Sequence, residues 1–536
     1  MKHLNIITET LFSLKTTIIL LLVFGAVVGV ATFIENDFGR ESAYAIVYGA
    51  KWFEILLTLL VINLIGNIFK YKMWKKEKLP LFIFHFSFLF IFLGAGITRY
   101  FGYEGIMHIR EGHEVYFKTY KTKDDLKYTS QENKIYSRDP YLQVDIKKDN
   151  KNIHFERLLY LSAVDTKPVN VNYFKESFNI DGKELEIQYK KFIKGVNVDI
   201  KEDTEGEPAV LMKVAFGMSS ETFVLKEGSK KEFGEIEILF GRKEDLRKVN
   251  KNKSYLFIFV ENNQFLFISN KTLTKMSMAT QTTEQLEANK IYKLERRNLY
   301  HLNGFNFVIL KALPYAKVII EPLPRTRQVY QGKDILSALY VDIYYDGEKR
   351  EAVLLGRGGG LAGIPTNLKI KDVNISLTWG AKVIDLPFSL YLKDFIVRKY
   401  PGSNKPSSYE SIVIVRDPVN KKEFEYKIYM NHPLSYGGYT FYQMSYDPDE
   451  KGTVLSVNHD PGVIPTYIGY GLLFFGLILN LFNPKSRFGR TLRMLSRSNT
   501  SKLIVFLILL FSFSKDIYAY PQSELSNQQL NSSNQT

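Results

Sequence analysis

Four apolar runs set the terms on which this chain can fold. They are Ile18 to Ile34, Trp52 to Phe69, Leu79 to Thr98 and Val463 to Phe482. Each is close to the roughly 20 residues that a bilayer-spanning helix needs. Hydrocarbon offers no water to an unpaired backbone donor or acceptor, so such runs must be helical. The mean hydropathy of the whole chain is only -0.13. The apolar residues are therefore concentrated in these runs, and the long stretch from Arg99 to about Ile464 reads as a domain with a polar surface. A fifth run, Leu503 to Phe513, is shorter.

The charges between the runs predict their direction. Lys70, Lys72, Lys75, Lys76 and Lys78 face one acid, Glu77, and Lys485, Arg487, Arg490, Arg493, Arg497 and Lys502 face none. The loop after the first run is acidic, with Glu35, Asp37 and Glu41 against Arg40. Short basic loops stay in the cytoplasm. The amino terminus, the Lys70 loop and the Lys485 segment are thus expected inside, and the large domain outside. These loops also account for much of the net charge of +15, and the rest is spread without a dominant block. That excludes the clustered basic face of a nucleic-acid binder.

The chain has no cysteine. It can supply no covalent haem site of the Cys-x-x-Cys-His kind, no thiol redox couple and no thiolate metal cluster. The first run leads into acidic "FIENDFG" rather than a small-residue cleavage site, so it is expected to stay as an anchor.

The large domain reads as β. "SYLFIFVENNQFLFIS" pairs two apolar runs about a polar turn. "ALYVDIYYDGEKREAVLL" turns at Asp346-Gly347, a dipeptide suited to a tight hairpin. "YESIVIVRD" and "FEYKIYM" are further strands. "TTEQLEANKIYKLERR" is the segment that most suggests a helix, and "PYAKVIIEPLPRTR" suggests a subdomain boundary. "LLGRGGGLAGIP" lacks the ending and the following helix of a phosphate loop and reads as flexible. The expected architecture is a membrane protein of four transmembrane helices, or five if the last run crosses, with a large extracytoplasmic β-rich domain. Residues 1–98 hold three helices (about 16–34, 51–70 and 79–98), 99–462 the β-rich domain and 463–483 the fourth helix. Residues 484–501 form a basic cytoplasmic segment, 502–520 a fifth span or signal-like segment, and 521–536 a disordered polar tail.

Within the third run stands His85, in "KLPLFIFHFSFLFIFLGAGITRY". A polar side chain in lipid is costly and faces a bundle interior or a pathway. On the residues alone it reads first as an imidazole hydrogen-bonded to a neighbouring helix, with a ligand role as the alternative. His108 and His113 follow the run and read first as solvated loop histidines. Tyr100, Phe101, Tyr103 and Trp74 read as interfacial belts.

Several stretches resemble a known family. "LPFSLYLKDF", "YPGSNKPSSYESIVIVRD" and "MNHPLSYGGYTFYQMSYDPDEKGTVLSVNHDPG", in this order before the last span, are similar to blocks of the ResB/CcsB family of cytochrome c biogenesis, System II. "ATFIENDFGRESAYAIVYGAKWFE" and "RYFGYEGIMHIREG" look most like the CcsB half of fused CcsBA-type proteins. The resemblance covers about residues 10 to 485. It implies a membrane subunit of a cytochrome c haem lyase that binds haem b non-covalently and moves it outward. Its implied partners are a CcsA/ResC-type membrane protein, apocytochrome c and the thiol reductants that keep the apocytochrome reduced. It implies an inner-membrane location with the domain on the periplasmic side. In that setting a third-helix histidine ligates haem iron, a position His85 matches, and His108 and His113 fall in the vicinity of the haem. The Trp-rich motif of the CcsA half is not matched, since the tryptophans are Trp52, Trp74 and Trp379. Either the sequence is that of a split or truncated protein or a CcsA-type partner is a separate chain, and the chain is not expected to be an enzyme on its own. Two rival classes remain: a structural membrane chaperone without haem ligation, and an unrelated transporter or sensor.

Overall fold

The computed structural model describes residues 9–111, 133–149, 151–164, 171–216, 219–233, 236–249, 253–302, 305–324, 335–403, 405–447, 450–483 and 489–490. Four of its helices are long and apolar enough to cross a membrane: α1 Leu14–Phe38, α2 Lys51–Lys70, α3 Leu79–Phe101 and α4 Val463–Phe482. The remaining described structure is mainly β, so the architecture is that of a membrane protein with a large β-rich domain. The segment 502–520 lies outside the described residues. The chain divides into two compact units. One comprises Met1–Gly25, Ile55–Phe101 and the residues from Pro461 on; the other comprises Ala26–Glu54 and Gly102–Asp460.

In the helical unit α3 and α4 pack along a row of small residues. Gly462, at the start of α4, and Gly469 and Gly476 recur every seven residues. Each lies against the α3 backbone. A Cβ on Gly469 would sit 3.0 Å from the Ser87 carbonyl oxygen, and one on Gly476 2.7 Å from the Phe84 nitrogen. Gly94 of α3 completes the row, where a Cβ would lie 2.1 Å from Thr466 Oγ1. Lipid tails are as apolar as leucine, so helices in a membrane associate through close packing and hydrogen bonds. At the other end of this row Asn480 Nδ2 donates to the Pro80 carbonyl at 3.1 Å. The remaining faces of α4 carry exposed Ile464, Tyr467, Phe474 and Phe482, a surface suited to hydrocarbon.

Among the described residues the β unit holds five sheets. The eight-stranded sheet contributes to two cores. Leu142, Val144, Ile375 and Trp379 pack with Leu185, Ile187, Val341 and Ile343 of the four-stranded sheet. Met107, Phe441, Leu455 and Val457 pack with Leu390, Leu392, Val413 and Val415 of the three-stranded sheet. The six- and five-stranded sheets close a separate core around Met212, Ile258, Phe267, Tyr300 and Phe307. Two of the expected hairpins form with the anticipated turns. Glu261 pairs with Gln264 across Asn262-Asn263, both at positive φ (51 and 61°), and Tyr345 pairs with Glu348 across Asp346-Gly347 (48 and 78°). These are the conformations that a two-residue hairpin with the right twist requires.

Two expectations are corrected. The segment 282–297 is not helical: it forms strands Thr283–Leu286 and Tyr292–Lys293. Leu286 and Leu294 are buried in a sheet core and Asn289 takes a φ of 61°, so packing overrides a helical composition. Within the stretch 314–327, Pro314 lies inside the strand Phe305–Pro322, at a register shift between Leu313 and Ala316, where a missing N–H is tolerated; residues 325–327 lie outside the described residues. The Gly-rich loop is packed rather than loose. A Cβ on Gly359 would lie 1.5 Å from the Arg138 carbonyl oxygen, and one on Gly363 2.3 Å from that of Trp379.

The segment between α1 and α2 belongs to the β unit. Lys194 Nζ donates to the Phe38 carbonyl at the C-terminus of α1, at 2.6 Å, where a cation also suits the helix dipole. Arg40 pairs with Asp139 at 3.0 Å. Asp139 sits on a bulge, since the strand Lys134–Lys148 shifts register between Tyr136 and Pro140. Tyr44 stacks on Tyr160 at 4.8 Å, and the Ala163 N–H donates to Ser42 Oγ at 3.2 Å.

The glycine row gives the first prediction. Gly469→Leu overpacks the α3–α4 seam at a cost of about 1–3 kcal/mol, and a thermal-aggregation assay in detergent should show an earlier transition. Gly471→Leu is the control, because a Cβ there meets nothing within 4 Å, and it should leave the transition in place.

Candidate functional site

His85 is half-buried on α3. Its Nδ1 lies 2.8 Å from the Leu81 carbonyl oxygen, one turn back. A carbonyl only accepts, so Nδ1 carries the hydrogen, and neutral imidazole then holds its lone pair on Nε2. No hydrogen bond to Nε2 occurs among the described residues. The Phe84 ring stands edge-on at 5.3 Å, and Phe84 in turn meets Phe88 at 5.3 Å. At about 100° per residue, His85 lies on the side of α3 away from Phe84, Ser87, Ile91 and Gly94, which face α4. The neighbouring-helix bond that the residues alone suggested is therefore not what holds this ring. Its own helix does.

The chemistry open to this imidazole is narrow. Among the described residues no group of three or more His, Cys, Asp or Glu comes together to hold a metal ion. A chelated ion needs about four ligands and does not fit. A group that takes a single axial imidazole within an apolar, aromatic surround does fit, and haem is such a group. The residues from Leu79 to Thr98 carry no charge.

The other candidates fall elsewhere. His108 is in the β unit. Its Nε2 faces both oxygens of Asp447, at 3.0 and 2.9 Å, and Arg110 donates to the same carboxylate at 2.5 Å. Asp447 is almost fully buried, so His108 and Arg110 together compensate a carboxylate that could not otherwise stand there. His113 lies outside the described residues, as does His3. His154 bonds Asp145, which raises its pKa. His432 bonds the Tyr426 hydroxyl at 3.0 Å, between the rings of Tyr426 and Tyr429. His301 bonds Asn306.

Two groupings escaped sequence reasoning. In the helical unit Thr17 Oγ1 donates to Asn63 Oδ1 at 2.7 Å, and Asn67 Nδ2 donates to the same oxygen at 3.0 Å and to Thr17 Oγ1 at 3.1 Å. Asn63 also donates to the Leu11 carbonyl. The two asparagines, one turn apart in "INLIGN", were a signal that could have been read. The second grouping is His459 against Tyr103 and Tyr439, with ring centroids at 4.9 and 4.8 Å and the two tyrosine rings 6.3 Å from each other. The two tyrosine hydroxyls lie 2.9 Å apart, and this bond with burial pushes the Tyr103 hydroxyl up from its ordinary pKa.

Comparison with known proteins adds a direction. Residues 360–454 match the ResB-like family. Over 518 residues the chain is 30% identical to Protein NrfI of Wolinella succinogenes, an alignment that takes in 96% of this chain and 39% of that protein. The chain thus spans about two fifths of the length of that curated relative.

Proposed function

The chain belongs to the ResB-like family, and from that premise we propose that it acts in cytochrome c biogenesis as a membrane subunit that binds haem b and passes it outward. The observation that carries this reading is the fixed tautomer of His85, with Nδ1 held by Leu81 and Nε2 left as a lone pair inside an uncharged span. Haem is the cargo, and its iron takes the imidazole as an axial ligand. The Leu81 carbonyl orients the ring and raises its basicity, as an outer-shell acceptor does for a ligating histidine. Phe84 and Phe88 keep the surround apolar.

The chain supplies no cysteine or other nucleophile for thioether formation. The thiols belong to the apocytochrome and are kept reduced by thiol reductants. Presentation of the haem falls to a CcsA/ResC-type membrane partner. The large domain is extracytoplasmic on this reading, because the Lys70–Lys78 loop is the basic one. The bonds of His108 to Asp447 favour a structural part for that residue over haem contact.

The cysteine-free chain makes topology cheap to test. A membrane-impermeant maleimide applied to intact cells should label Gln264→Cys, at an exposed hairpin, and should label Lys75→Cys only after lysis. Labelling of Lys75→Cys in intact cells would end the export reading.

The ligand is tested on the purified chain. His85→Gly should accumulate in the membrane with a reduced Soret absorbance, and added imidazole should restore part of it by entering the vacated space. Unchanged haem content in His85→Ala and His85→Gly would return the residue to a packing role. For partnership, a Cys-x-x-Cys-His reporter should acquire covalent haem only when a CcsA-type protein is co-expressed. Attachment by this chain alone would show that the division of labour is wrong.

A further inference from the structure

His85 has a counterpart. Of the described histidines, His85 and His459 have a ring nitrogen held by a backbone carbonyl. His459 Nδ1 lies 2.9 Å from the Gly438 carbonyl. Nδ1 must again carry the hydrogen, and Nε2 again holds the lone pair with no hydrogen bond among the described residues. By contrast His108, His154, His301 and His432 bond side chains.

The surroundings hold this ring firmly. His459 ends the strand Gly452–His459 and pairs with Tyr103, the first residue of Tyr103–Arg110. Tyr103, Tyr439 and the imidazole form a triangle of mutual ring contacts, and Phe388 meets Tyr439 at 5.9 Å. The carbonyl that orients it comes from a turn that Gly437 and Gly438 make at φ 60 and 84°, a conformation that suits glycine. Only 3.4 Å separates a Cβ on Gly438 from His459 Cε1, so the turn closes directly on the ring. By sequence the cluster lies next to two spans: α3 ends two residues before Tyr103, and α4 begins four residues after His459.

We propose that His459 is a second haem-iron ligand, through Nε2, at the end of the β unit where the chain enters α4. The proposal rests on the haem-carrying reading. No group of three or more metal-ligating residues forms among the described residues, so a chelated ion is not the fit; a single oriented imidazole flanked by aromatic rings suits the axial position of haem. The chain then offers haem an imidazole within a span and another at the edge of the extracytoplasmic domain.

The test is haem titration of the purified full chain in detergent, read as bound haem by Soret absorbance and as axial ligation by electron paramagnetic resonance. His85→Ala and His459→Ala should each lose about half of the haem that the unaltered chain binds, and the double variant should bind none. His459→Phe keeps an aromatic ring against both tyrosines and should show the same loss, which separates ligation from folding. His459→Gly should regain its signal in imidazole. Full haem content in His459→Phe, with all haem lost in His85→Ala, would overturn the second site and leave the first. No haem on the unaltered chain would overturn both.

Discussion

In hydrocarbon every polar group must find its partner within the protein, and that constraint shapes the helical unit. Asn63, Asn67 and Thr17 bond one another between α1 and α2. Thr466 returns its hydroxyl to the Gly462 carbonyl at 2.8 Å. Asn480 reaches Pro80. Asn67 Oδ1 is buried without a partner among the described residues, and half-buried His85 bonds through one of its two nitrogens.

The same accounting explains the β unit's hold on the segment between α1 and α2. The C-terminal carbonyls of a helix have no intrahelical partner. Lys194 supplies one to Phe38, and burial beside that helix end lowers the lysine's pKa against the opposing effect of Glu41. The bulge before Pro140 then turns Asp139 toward Arg40, and bulges commonly re-aim a side chain in this way. Gly359 packs on the same bulge, with its α-carbon so near the Arg138 carbonyl that no side chain fits. The Gly-rich motif is thus a packing device under a functional-looking pattern. Its glycines allow backbone to lie on backbone.

What could be read from the sequence follows from the range of the forces involved. The spans and the hairpins at Asn262-Asn263 and Asp346-Gly347 rest on local rules, and these were legible. So was His85, because an imidazole in an uncharged run stands out by composition alone. The strands at 283–286 and 292–293 were not legible, since burial of Leu286 and Leu294 depends on sheets formed by distant residues. Nor was the strand through Pro314, where a register shift absorbs the proline. The bond between His108 and Asp447 joins residues 339 positions apart, and no pattern near His108 announces it. His459 was visible as a residue in a family-like block, but its meaning lies in the Gly438 carbonyl and the two tyrosines, which only the ladder of Tyr103–Arg110 on Gly452–His459 brings together.

A chain without cysteine, and without any cluster of metal-ligating residues among those described, has a narrow repertoire toward a metal. No such cluster forms among the described residues to chelate a bare ion. The chain can present single imidazoles in fixed orientation, and that suits a metal which arrives with its equatorial ligands already in place. Haem arrives so equipped: the macrocycle fills four positions, and the protein adds an axial ligand. One axial imidazole also makes a bond that can be exchanged, whereas several simultaneous ligands would trap the metal. Transfer between proteins needs a bond of the first kind. On the function proposed above, the carbonyl-oriented histidines suit carrying haem rather than keeping it, and the thioether bond would draw its thiols from the apocytochrome.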